Sequence, residues 1–205
     1  MYQNTLSAGR LLNTARIFTF IVWTALFAWF IWLFVSRLES PAAAAISLAV
    51  FCFMPVFISN NALISTDAAA TVFYFGSFAL GWLFTSVNTI QKEEKGGKKT
   101  EAAVGGRLRL WAAMAGMVSG LAMVSKFSMF IVPPMVAAFW IADNLVWPRM
   151  KFAKLLGYLL LYCAACLLVV ALVYKFNLGL YWDGLSATLR RLDTGRSSFV
   201  LGRYT

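Results

Sequence analysis

Three charged residues stand where a membrane chain seldom places charge. Asp67 closes Asn60-Asn61-Ala62-Leu63-Ile64-Ser65-Thr66-Asp67, at the mouth of a long apolar run. Lys126, flanked by Ser125 and Ser128, interrupts the middle of the apolar stretch Leu110–Trp147. Arg16 follows Thr14-Ala15 just ahead of the first apolar run. A carboxylate can orient a metal, an acceptor or a catalytic partner. A lysine ammonium is a compact point charge suited to a phosphate, and an arginine offers a donor fork to the same group. Each has a structural alternative. Ser65, Thr66 and Asp67 all favour a helix N-terminus, and Lys126 can snorkel at a hairpin tip; Arg16 carries the same ambiguity. There is no histidine, so histidine-based catalysis and metal binding are excluded within this chain. Cys163 and Cys166 form a CxxC, but inside a lipid-embedded helix they read as small packing residues, as does Cys52.

Whether the three charges meet depends on the elements that carry them. The chain has 205 residues, 61% of them apolar and 13% charged, with mean hydropathy +0.74. A soluble domain is nearer 25% charged, so this is an all-α, polytopic membrane helix bundle. About 20 apolar residues cross a bilayer. Crossings are expected at 17–35, 42–58 and 68–87. Leu110–Trp147 would extend roughly 57 Å as one helix against a core of about 30 Å, so it folds into two crossings, 110–125 and 127–147, turning at Lys126. A sixth follows at 155–174. Continuous apolar runs exclude a transmembrane β-barrel, which alternates at period two.

Lysine and arginine set the direction. The loops at 37–41, 88–109 and 148–154 hold ten cations: Arg37, Lys92, Lys95, Lys98, Lys99, Arg107, Arg109, Arg149, Lys151 and Lys154. The opposite short loops hold only Lys126. The first set is therefore cytoplasmic, and 88–109 reads as a solvated, flexible loop. Residues 1–176 form the bundle and 177–205 an extracytoplasmic juxtamembrane segment. The net charge of +10 is topogenic, which leaves no role for nucleic acid. After the last crossing, Leu185, Leu189 and Leu192 share a helical face with Trp182 at its start, an amphipathic helix in the outer interface. It anchors against headgroups or forms a wall over a site. Asp67, Lys126 and Arg16 all fall on the outer side, as a lipid-phosphate site requires.

The order of these features resembles the polyprenyl-phosphate-dependent glycosyltransferases of the GT-C fold, the protein O-mannosyltransferase and lipid A aminoarabinose transferase group. Thr14-Ala15-Arg16 is similar to the motif opening that family's second helix. Pro55-x10-Ser65-Thr66-Asp67-Ala68-Ala69-Ala70 is similar to its entry into the fourth. Gly116-x3-Gly120-Leu121-Ala122-Met123-Val124-Ser125-Lys126-Phe127-Ser128 and Ser198-Phe199-Val200-Leu201-Gly202-Arg203-Tyr204 match two further stretches in order. The resemblance implies transfer of a sugar from a polyprenyl-phosphate donor on the extracytoplasmic face of a multi-pass protein, expected in the bacterial inner membrane. Lys126 and Arg16 would hold the donor phosphate. Asp67 would orient the acceptor or a divalent metal, without being the base. The family's first helix, the outer loop carrying its base, and its C-terminal region are not matched, so the chain is expected to be the inner part of a longer protein.

Two other functions stay open. One is a non-catalytic membrane subunit of a larger complex, for which the GxxxG at Gly116 and Gly120 permits close helix packing, although packing within the chain explains the motif more readily. The other is a small transporter, with Pro133-Pro134 breaking a helix.

Overall fold

The computed structural model describes the backbone of residues 8–61, 66–93, 98–148, 150–193, 199–200 and 203–204, and the side chains of 9–59, 66–86, 104–148 and 150–190. The helices are α1 (Ala8–Leu38), α2 (Pro41–Cys52), α3 (Pro55–Asn61), α4 (Thr66–Glu93), α5 (Lys98–Ser125), α6 (Val132–Val146), α7 (Phe152–Val173) and α8 (Leu178–Asp193). A 3-10 turn, Phe127–Ile131, leads from α5 into α6. The strand pair β1 (Phe199–Val200) and β2 (Arg203–Tyr204) is a two-residue antiparallel match near the C-terminus. The protein is an integral multi-pass membrane bundle, and among the described residues five helices are long and apolar enough to cross a membrane.

Ring contacts give the helix directions. Trp23 meets Phe73, and Phe34 meets Trp82, so α1 and α4 run parallel. The chain between them must therefore return, and α2 with α3 does so. The expected second crossing, 42–58, is not one continuous helix: it breaks at Phe53 and Met54. Pro55 supplies the reason. Proline has no N–H and disfavours helix at the residue before it, yet suits the first position of a new helix. Phe51 and Phe57, one from each half, close over Phe27 of α1 with ring centroids 4.6–5.1 Å apart. At its start, α2 has Ser40 as N-cap, its hydroxyl accepting from Ala43 N, and Pro41 at the first helical position.

Two other boundaries differ from expectation. The helix that was to begin near residue 17 starts at Ala8, so Arg16 lies within α1 instead of opening it. The stretch 88–109, read as a loop, is helical on both flanks, since α4 continues to Glu93 and α5 starts at Lys98. Lys, Glu, Gln and Ala are good helix formers, and a membrane helix can continue into water with its backbone bonds intact. The expectation of flexibility at 94–97 lies outside the described residues.

The bundle closes by small residues meeting large ones. Gly116 and Gly120 on α5 lie against the backbone of α7: an added Cβ would stand 2.3 Å from the Tyr162 carbonyl oxygen and 2.7 Å from that of Cys166. The GxxxG is thus used within the chain. Beside it Tyr162 donates to the Ser119 hydroxyl at 2.8 Å, and Cys166 lies 3.4 Å from the Met123 sulfur, so Cys166 helps pack α5 on α7, whereas Cys163 and Cys52, read from the sequence as packing residues too, are exposed. Trp140 of α6 donates from its indole N–H to the Gly81 carbonyl of α4 at 3.0 Å and stacks on Phe84, 4.2 Å between centroids. The buried Tyr162 hydroxyl and Trp140 indole each find an acceptor, as a low-dielectric interior favours.

Candidate functional site

The turn expected at Lys126 is present and is sharp. Lys126 has extended backbone, φ −155° and ψ 127°, between the last turn of α5 and the 3-10 turn. A helix ends there because two crossings must be joined within a few residues. Asp67 occupies the first turn of α4, where the positive end of the helix dipole favours an anion. Its backbone carbonyl accepts from the Thr71 hydroxyl at 2.8 Å. Since α5 runs back along α4, the end of one helix meets the start of the other. Lys126 Nζ donates to Asp67 Oδ1 at 2.5 Å, joining residues 59 positions apart in sequence. The expectation that these two share one end of the bundle is met.

Their side chains remain 45% and 57% exposed, so neither charge is stripped of water. Exposed pairs contribute about 0.2–1 kcal/mol. The pair therefore locates charge more than it stabilises the fold.

Arg16 shares this end but not the pair. In the parallel helices α1 and α4, Arg16 precedes Trp23 by about as many residues as Asp67 precedes Phe73, and those two rings touch. Arg16 is exposed, and among the described residues no ion pair joins it to Asp67. The opposite end gathers Arg37, Arg107, Arg109, Lys151 and Lys154, from the close of α1, the start of α5 and the turn into α7. That division matches the one drawn from the sequence. Arg149 and Ser65 lie outside the described residues.

α8 borders the site. After α7 the chain reverses through Lys175 and Phe176, both in the left-handed region with φ 50° and 62°. Non-glycine residues are uncommon there and cost of order 1 kcal/mol each. The turn is held by Phe176 N donating to the Ala171 carbonyl at 2.6 Å. It brings α8 back across the Lys126 tip. Tyr181 and Leu185 are buried against Val170, Phe127 and Tyr174, and Gly184 receives the Phe127 ring so closely that a Cβ there would lie 2.3 Å from it. Leu178, Trp182 and Leu189 form an exposed apolar stripe beside that buried face. Such a stripe suits the boundary between headgroups and acyl chains. One face of α8 thus packs on the hairpin tip while the neighbouring face stays exposed. Leu185 was expected on the same face as Leu189; it is buried while Leu189 stays exposed, because the hairpin tip takes only part of that face.

Nothing in the sequence pointed to Tyr181 or to the Phe127–Gly184 seat. The available signal was a glycine inside a helical pattern, which marks close approach. Replacing it gives a direct check. Gly184→Leu is expected to lift α8 from the tip and raise trypsin cleavage after Arg190 about ten-fold. Gly157→Leu, where nothing lies within 4 Å of an added Cβ, leaves cleavage unchanged.

The Tyr181 hydroxyl is buried with no hydrogen-bond partner among the described residues. Burial, with smaller contributions from Tyr174 and Cys166, pushes its phenol up to about 12. The docked helix therefore favours the neutral phenol. Docking is fully supported below about pH 10, the ordinary phenol value, and weakens as pH rises through about 12. A tyrosinate absorbance titration run alongside tryptic cleavage should show both changing over that window. Tyr181→Phe removes the alkaline loss and holds α8 at least as firmly.

Among the described residues no group of three or more His, Cys, Asp or Glu converges in a way that could hold a metal ion. The arrangement shown is a single carboxylate on a single ammonium. No family model, curated protein or solved structure matches the chain.

Proposed function

We propose that the Asp67–Lys126 end is the reacting face of a membrane-embedded glycosyltransferase core that takes its sugar from a polyprenyl-phosphate donor. One observation carries this reading: a cation at a sharp interhelical turn stands against a carboxylate at a helix start, under an amphipathic helix suited to the headgroup layer. The resemblance of Arg16, Asp67 and Lys126 to the GT-C motifs adds the roles: Lys126 and Arg16 at the donor phosphate, Asp67 at the acceptor or a metal.

Transfer of a sugar from a lipid phosphate leaves negative charge on the departing phosphate. Lys126 would bind the phosphate and stabilise that charge electrostatically. Arg16, on α1 at the same end, would reach toward the same headgroup. Asp67 would accept from the acceptor hydroxyl and orient it. It would not be the base, a role that the resemblance gives to an acidic residue on an outer loop this chain does not match; a base must lie within hydrogen-bond reach of the acceptor. The polyprenyl tail would lie along the exposed apolar faces of the helices, and the bacterial inner membrane is the membrane proposed.

The test is to purify the chain from membranes and extract its bound lipid. Retention of polyprenyl phosphate by the wild-type protein, lost in Lys126→Ala and kept in Lys154→Ala at the opposite end, supports the reading. Equal retention by all three would remove it.

A further inference from the structure

Lys126 has one ammonium and already holds an anion. Resting on the reading of Lys126 as a phosphate-facing cation, we propose that Asp67 is an internal stand-in for phosphate, a latch that an incoming phosphate monoester must displace from Lys126, freeing the carboxylate for a second ligand.

Three observations converge. First, Asp67 Oδ1 lies in direct hydrogen-bond contact with Lys126 Nζ, on the ammonium that a phosphate oxygen would also have to contact. A phosphate drawn to the same ammonium would face the carboxylate across a few ångströms, and two like charges at that range repel. Second, both side chains are about half exposed, so water can replace either partner and the pair is exchangeable. Third, the two groups stand on unlike supports. Asp67 is held in the first turn of α4. Lys126 lies on the extended residue between α5 and the 3-10 turn, with no side-chain cap bond to tie it down. The ammonium can swing to a new anion while the carboxylate stays where it is.

The order of events follows. Before phosphate arrives, Asp67 is neutralised and offers little to a hydroxyl. Once phosphate takes Lys126, Asp67 is an unpaired carboxylate beside it, ready to accept from a hydroxyl group. The latch thereby keeps the acceptor side closed until the donor side is filled.

The experiment measures binding to the full chain in detergent micelles by calorimetry, using farnesyl monophosphate and inorganic phosphate as probes. Asp67→Asn is expected to tighten phosphate binding about two- to five-fold, the range an exposed ion pair can contribute. Asp67→Glu, which keeps the latch, stays near wild type. If Asp67→Asn does not fold, Asp67→Ser makes the same comparison. Tightening toward farnesyl monophosphate alone identifies a lipid phosphate as the displacing group; equal tightening toward both identifies the phosphate itself as sufficient. Unchanged or weakened binding in Asp67→Asn overturns the latch. In that case the loss of binding in Lys126→Ala would persist and leave the site reading in place. Undiminished binding in Lys126→Ala removes both.

Discussion

A Lys126→Ala chain is expected to lose about ten- to a hundred-fold of its affinity for a polyprenyl monophosphate while unfolding at nearly the wild-type temperature. The two halves of that result have different causes. A hydrogen bond to a charged group is worth about 1.5–3 kcal/mol, which is roughly ten- to a hundred-fold in a binding constant. The fold, by contrast, gains little from this residue. Its partner Asp67 is more than half exposed, and such pairs contribute about 0.2–1 kcal/mol. Removing the ammonium leaves a carboxylate that water can solvate, in the favourable field of a helix start. Lys126→Arg keeps the charge but widens the head, so it should retain part of the affinity. Calorimetry of binding set against a thermal melt of the same preparation checks the pair of expectations. A melting temperature that falls as steeply as the affinity would mean that Lys126 holds the tip together, and the phosphate role would lose its basis.

Gly116→Leu carries the largest expected effect on stability. A first side-chain carbon at this position would stand 2.3 Å from the Tyr162 carbonyl oxygen and 3.0 Å from the Ala165 Cβ. The obstacle is backbone, so no rotamer change relieves it. α5 and α7 must move apart, which also stretches the buried Tyr162–Ser119 hydrogen bond and the Cys166–Met123 contact. Overpacking costs about 1–3 kcal/mol, and a full leucine against backbone belongs at the top of that range. Gly116→Ala should cost less, because one carbon demands a smaller separation. Gly105, on the same helix with nothing within 4 Å of an added Cβ, is the control. Unfolding of the three variants in mixed detergent micelles gives the ranking. A Gly116→Leu protein as stable as the Gly105→Leu one would show that the two helices are not in close contact.

Much of this architecture could be read from the chain because a membrane allows few options. Long apolar runs must be helices, and a run of twice the needed length must turn. Lys126 marked that turn, since a charge and two serines are least costly at the water boundary. Once the turn was located, helix direction put Lys126 and Asp67 at the same end of the bundle; that they touch is a result of packing. Gly116, Gly120 and Cys166 were legible for a similar reason, as small residues on apolar helices serve close packing, while the exposed Cys52 and Cys163 were not.

The misreadings share a cause. Hydropathy reports what lipid tolerates, not where hydrogen bonding stops. α1 continues outward through Arg16 to Ala8, and α4 and α5 run on through polar sequence to Glu93 and from Lys98, because a helix in water still satisfies its own backbone. The break at Phe53–Met54 was masked by uninterrupted apolarity, although Pro55 was there to announce it. Tyr181 was invisible for another reason: whether a hydroxyl is buried depends on what α8 lies against, and that is a property of tertiary packing.

The seat of Phe127 at Gly184 makes α8 and the hairpin tip one mechanical unit. Phe127 is the next residue after Lys126, so the ring in its notch holds the backbone of Lys126 while the ammonium at the end of its flexible stem stays free to turn. Any displacement of α8 that carries the ring with it therefore also moves the backbone from which Lys126 reaches Asp67.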